Sequence, residues 1–159
     1  MIGLPYPGGA AIDKLAHEGN PEAIAFPSPA LGGDTLDLSF SGIKTAALNF
    51  INSQRQSGAE IDRADLAASY TSSIVKAITK KAKAALRQTG MKRLVLAGGV
   101  AANSHLRKSL EDMCRSVGAK LSVPPISLCG DNAAMVAAAG YFEYLDGNFA
   151  DTSLNASAT

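Results

Sequence analysis

Three stretches of the 159-residue chain set glycine directly before a helical run, where free backbone N–H groups can meet an oxygen-rich ligand. The first is Tyr6-Pro7-Gly8-Gly9, with Asp13 one turn further on as an acceptor for ribose hydroxyls. The same residues also read as a tight turn followed by a solvated aspartate. The second is Ala97-Gly98-Gly99-Val100-Ala101-Ala102-Asn103, a glycine pair closing an apolar run, which is where open α/β sheets hold ligands. Gly98 and Gly99 would let a flat or anionic group approach the backbone, and Asn103 carries both a donor and an acceptor. A strand-to-helix turn capped by Asn103 accounts for the same pattern. Neither the dinucleotide fingerprint nor the Walker phosphate loop is present. The third stretch is Cys129-Gly130-Asp131-Asn132. Asp131 suits a helix N-cap, or a carboxylate holding a divalent metal beside a phosphate.

The remaining reactive side chains point to less. His17 and His105 are far apart in the chain and lack HxxH or HxxxH spacing, so both are read as surface residues rather than metal ligands. Cys114 and Cys129 make neither a disulfide framework nor a zinc set, and are read as small buried apolar residues with free thiols. Lys76, Lys80, Lys83 and Arg87 recur along one helical face, either as a solvated side or as a phosphate contact. The run Ser69–Ser73 contains no GxSxG elbow, so no serine nucleophile is expected.

Elements to position these residues follow from periodicity. Residues 1–9 read as loop, Ala10–His17 as a short helix and Phe26–Asp34 as a loop broken by prolines and glycines. Leu36, Leu38 and Phe40 alternate with polar residues and predict a strand. Ser41-Gly42 turns into a helix with Ile43, Ala46, Ala47, Phe50 and Ile51 on one face. A long helix is predicted from Asp62, its N-cap, with Leu66, Tyr70, Ile74, Ile78 and Ala85 inward and Gly90 as its stop. Leu94–Ala97 reads as a fully buried strand, Ala101–Val117 as a helix with Leu106, Leu110, Met113 and Val117 inward, and Lys120–Val123 as a short strand. The last helix runs from about Asp131 to Leu145, its alanines and Gly140 suited to close packing, and residues 147–159 form a polar, frayed tail.

Composition is consistent with that picture. The chain is 47% hydrophobic and 18% charged, which excludes a disordered polymer. Its 15 basic and 14 acidic residues give a net charge of +1, so any polyanion contact must come from a local patch. No apolar stretch reaches membrane-spanning length, no signal peptide is evident, and a cytoplasmic protein without a membrane partner is expected. Strands alternating with helices predict an α/β layer with a small mixed or parallel sheet. About three strands is few, and points to one lobe of something larger.

Taken together, YPGG-x-x-x-D, LDLSFSGIKT, LVLAGGVAAN-x-x-LR and CGDNAAM resemble the tRNA threonylcarbamoyladenosine transferase family (TsaD, formerly described as a glycoprotease) over about Gly3 to Tyr141. The resemblance implies an actin-like fold of two ribonuclease-H-like lobes around a nucleotide cleft. It implies transfer of a threonylcarbamoyl group from threonylcarbamoyl-adenylate to the exocyclic amine of the adenine beside the anticodon. Gly9, Asp13 and Asn103 would correspond to adenylate contacts, Gly98 and Gly99 to the floor beneath it, and Asp131 to a ligand of a bound iron or zinc. No residue of this chain is assigned a catalytic role. Implied partners are the adenylate or ATP/AMP, tRNA and the accessory proteins of threonylcarbamoylation.

One departure shapes the expectation. In the family an HxxxH pair, a glycine-rich loop and a further ligand-binding aspartate precede PYPGG, whereas Met1 stands just before it here. The chain is therefore read as the C-terminal lobe of such a transferase over residues 1–146, followed by the tail 147–159. It would hold one metal ligand of three, bind metal weakly or not at all, and perform no transfer alone. The alternative is a non-catalytic nucleotide- or partner-binding half-lobe that self-associates, including as a homodimer. A sugar-kinase-like lobe fits less well, and a metalloprotease least, since no HExxH is present.

Overall fold

The computed structural model describes residues 2–32 and 35–155; two positions of the predicted 26–34 loop and the last four of the predicted tail lie outside it. Helix α1 (Gly8–Ala16) begins two residues before the predicted start, with extended Pro7 as its N-cap. Its Ala16 packs on Ala67 and Ala68 of the long helix α3 (Arg63–Thr89), flanked by Ile12 and Leu15. Small side chains on both surfaces let these two helices approach closely. Between them in chain order, α2 (Ser41–Ser57) buries Ile43 and Ile51, two turns apart; Ser41-Gly42 is its first turn rather than a preceding bend.

The alternation in Leu36–Phe40 does not make a strand. It forms a single antiparallel bridge from Leu38 to Ala30, flanked by Ser39 N–H donating to the Pro29 carbonyl at 2.8 Å. The facing segment is Pro27-Ser28-Pro29, and prolines cannot supply the N–H groups that a longer ladder needs.

Asp62 caps α3 as predicted, its Oδ1 accepting from Ala64 N–H at 2.9 Å and Asp65 N–H at 3.0 Å. Gly90 ends the helix at φ 68°, a left-handed conformation that glycine adopts without a Cβ penalty. Burial is broader than the predicted stripe. Leu66 is buried and Tyr70, Ile74, Ile78 and Ala85 are half-buried, while Ala67, Ala68, Ser69, Thr71, Val75, Ala77 and Leu86 are buried as well. The reason is that α3 packs on α1 along one side and on α4 (Ser104–Ser116) along another.

Strands β1 (Arg93–Val95) and β2 (Lys120–Ser122) pair in parallel, Leu94 opposite Leu121, with α4 as the crossover between them. Such a crossover is the usual way to join parallel neighbours. Leu94 and Leu121 turn toward a core of Val75, Leu86, Leu106, Leu110, Met113 and Cys114. The opposite face is bare, with Val95 72% exposed, so β1 is covered on one side and not on both. Two strands, rather than about three, make up the sheet among the described residues. The predicted 101–117 helix begins later, at Ser104, because Gly99–Ala102 form a 3₁₀ turn ahead of it.

Helix α5 (Ala133–Leu145) is exposed along its whole length, so its small residues meet no close partner within the described residues. The start of the tail folds back on it, with Phe149 edge-on to Tyr144 at 5.6 Å. None of the described helices is long and apolar enough to cross a membrane.

Candidate functional site

The glycine corners are held in place by two polar clamps. Asp13, half-buried on α1, accepts through Oδ1 from the backbone N–H of Ser104 at 3.0 Å and from its hydroxyl at 3.1 Å. Those donors sit at the N-terminus of α4, where a carboxylate satisfies free N–H groups and the helix dipole favours its charge. The first corner is thereby fixed against the second across 91 positions of chain. Oδ2 stays outside this clamp.

At the second corner Gly98 adopts φ 88° and ψ 173°, a region essentially reserved for glycine. The backbone can then leave β1 and enter the 3₁₀ turn. Asn103 caps α4, its Oδ1 accepting from Leu106 N–H at 2.8 Å. The capping reading of Asn103 therefore holds, and its amide nitrogen remains outside the cap. Gly8, Gly9, Gly98 and Gly99 all face open space, where an added Cβ would meet nothing within 4 Å. Between α1, α3 and the start of α4 lies an apolar cavity of about 130 Å³, lined by Ile12, Tyr70, Ile74, Val100, Asn103 and Leu106 among others but by none of these glycines. Burial alone pushes the Tyr70 hydroxyl above its usual pKa.

Arg107 makes the second clamp. Its Nη2 donates to the Pro124 carbonyl at 2.9 Å and to Cys129 Sγ at 3.0 Å, and its Nε donates to the Ala101 carbonyl. One guanidinium thus ties the third corner to the second, using its planar fork on three acceptors. Both cysteines are buried and free, as expected, and burial raises the Cys114 thiol pKa.

The N-cap reading of Asp131 does not hold. The N-cap of α5 is Asn132, whose Oδ1 accepts from Met135 N–H at 2.9 Å, while Asp131 is exposed in the bend before it. No second or third metal-competent side chain gathers around Asp131 among the described residues. Asp131 therefore stands within this chain as one exposed carboxylate, and no chemistry is routed through a metal there.

The histidines depart furthest from expectation. His17 is exposed as predicted, but His105 is half-buried, and the two rings stack with centroids 4.0 Å apart. Three further residues had no predicted role: Ser104, Arg107 and Ser69. The buried Ser69 hydroxyl donates to the Asn20 carbonyl and accepts from Ile24 N–H, each at 3.1 Å, fastening the loop after α1. Only for Arg107 did the sequence carry a signal, its place four residues after Asn103 in GGVAANSHLR.

Fold and corners together define an α/β protein whose glycine-rich turns are clamped around one parallel crossover. The chain belongs to the TsaD family, described as tRNA N6-adenosine threonylcarbamoyltransferase, whose profile matches residues 1–138. A relative of that name from Clostridium botulinum (strain 657 / Type Ba4) is 48% identical over 98% of this chain and 46% of its own length. Counterparts from Moorella thermoacetica and Desulfitobacterium hafniense are 46% and 49% identical over the same shares. The chain thus spans about half the length of the curated relatives it matches, and those relatives are named as transferases.

Proposed function

We propose that this chain is the nucleotide-holding lobe, residues 1–146 with the tail 147–159, of a longer actin-like transferase that modifies tRNA in the cytoplasm. The longer protein transfers a threonylcarbamoyl group from threonylcarbamoyl-adenylate to the exocyclic amine of the adenine beside the anticodon. In that step a C–N bond forms at the carbamoyl carbon, the bond from that carbon to the phosphate oxygen breaks, AMP leaves, and the amine gives up a proton. AMP is already a good leaving group, so most of the work is positioning.

This lobe supplies the positioning. Asp13 uses its free Oδ2 to accept from the ribose hydroxyls, and Asn103 donates its spare amide to the adenylate. Gly9, Gly98 and Gly99 give the ligand close access to backbone N–H groups. Lys76, Lys80 and Arg87, exposed on α3, with half-buried Lys83, offer the tRNA backbone a line of positive charge. Iron or zinc as the family's metal, and the accessory proteins, belong to the longer protein. The single observation carrying this reading is the Asp13–Ser104 clamp, which joins two family motifs at hydrogen-bond distance.

The test is AMP binding to the full chain by calorimetry. Asp13→Asn and Asn103→Ala are expected to weaken it by about tenfold each, the worth of one charged or buried hydrogen bond. No AMP binding by a folded chain would remove the reading. Transfer to tRNA by the 159-residue chain alone is expected to be absent.

The exposure of α5 favours a second reading, a half-lobe that self-associates without chemistry. Tyr141, Phe142, Tyr144 and Leu145 lie open on one helix, and an apolar patch of that kind marks an interaction surface.

A further inference from the structure

Asp13, His17 and His105 offer ligand atoms that all lie within 4.8 Å of one another. They come from two elements: Asp13 and His17 are one turn apart at the end of α1, and His105 is the second residue of α4. Ser104 organises them. Its hydroxyl is 2.7 Å from His17 Nε2 while also donating to Asp13 Oδ1, the kind of outer contact that orients metal ligands.

A second observation points the same way. His105 Nε2 is buried with no hydrogen-bond partner, and is the one such side-chain atom among the described residues. A buried polar atom left unsatisfied is costly, so native structures rarely keep one without a purpose. The two rings also stack with centroids 4.0 Å apart, which sets their nitrogens side by side. A surface cavity of about 570 Å³, lined by His17, Ser104 and His105, gives an ion its path. Of the two lysines on that wall, Lys108 is paired with Asp112 at 2.7 Å.

We propose that Asp13, His17 and His105 form a binding site for a first-row divalent cation of the zinc and cobalt class, distinct from Asp131. Two imidazole nitrogens and one carboxylate oxygen select such ions over magnesium or calcium, which prefer all-oxygen sets. Binding turns the two rings about their side-chain bonds, and His17 exchanges the Ser104 hydroxyl for the ion. Water completes a tetrahedral set. The site does not depend on the transferase reading, because it needs no nucleotide.

The chain has only two histidines, which makes the test selective. A tag-free full chain with ¹⁵N-labelled imidazoles is titrated with Zn²⁺ and followed by long-range ¹H–¹⁵N NMR. Both histidines are expected to move together and saturate at one ion per chain. Movement of His17 alone, as any exposed histidine would show, overturns the proposal, and so does movement of neither. Cobalt supplies a second readout. Visible d–d bands should form in the wild type and in Asp131→Asn, and vanish in His105→Gln. Bands that persist in His105→Gln, or that disappear in Asp131→Asn, overturn it. The wild-type NMR titration needs no variant to fold.

Discussion

At Gly98 the chain turns out of β1 through φ 88° and ψ 173°, with nothing near enough to obstruct a side chain. The cost of a substitution there is therefore conformational and not steric. Gly98→Ala is expected to destabilise the protein by about 1–3 kcal/mol. Gly99→Ala, which faces equal space without a positive φ, should cost less. Urea midpoints for the pair would separate the two origins, and equal losses would refute the assignment. The glycine pair was legible in the sequence because glycine signals unusual backbone directly. The partners of Asp13 and His17 were not. Ser104 lies 91 and 87 positions from them, and no local periodicity encodes a contact of that range.

Elements tell a similar story. Helix faces and stops were readable wherever a 3.6-residue stripe ended at a cap, as at Asp62 and Gly90. Leu36–Phe40 misled because alternation specifies a pleat but not a partner, and the available partner was proline-rich. Asn132 outcompeted Asp131 as the cap of α5, a choice between adjacent residues that both suit the role. One close approach gave no signal at all. A Cβ on Gly19 would fall inside the Ala64 carbonyl at the start of α3, beside the Asn20 N–H that donates to Asp65 at 2.7 Å. Backbone cannot rotate aside, so Gly19→Ala is expected to cost about 1–3 kcal/mol or more, read from its melting transition.

Helix α4 carries its own pH dependence. The Lys108 ammonium hydrogen-bonds Asp112 and, with the charges of Lys108 and Arg115, holds its carboxyl below the ordinary 3.8 against a smaller effect of desolvation. A depressed folded pKa means the stabilisation is complete above 3.8 and is lost as pH falls through the lower folded value. Asp112→Asn should thus lower stability slightly at neutral pH, less so in high salt, and not at all in strong acid. A difference that grew on acidification would contradict this.

On the scale of the whole molecule, the core gathers between α3, α4 and the inner face of the sheet, while α5 contributes nothing to it. Sedimentation at several concentrations is the natural measurement. Apparent mass is expected to rise with concentration, and Tyr141→Glu with Phe142→Glu should suppress the rise; a strict monomer at every concentration would count against an adhesive α5. The family was readable because its four motifs are short, local and in order. The bareness of α5 was not, since an alanine-rich helix looks the same covered or uncovered.

The small sheet carries a consequence of its own. Each strand has a single neighbour, so the outer margin of β1 and that of β2 present peptide groups with no strand beside them among the described residues. A strand added at either margin would pair with backbone alone and would leave Leu94 and Leu121, beneath the sheet, undisturbed.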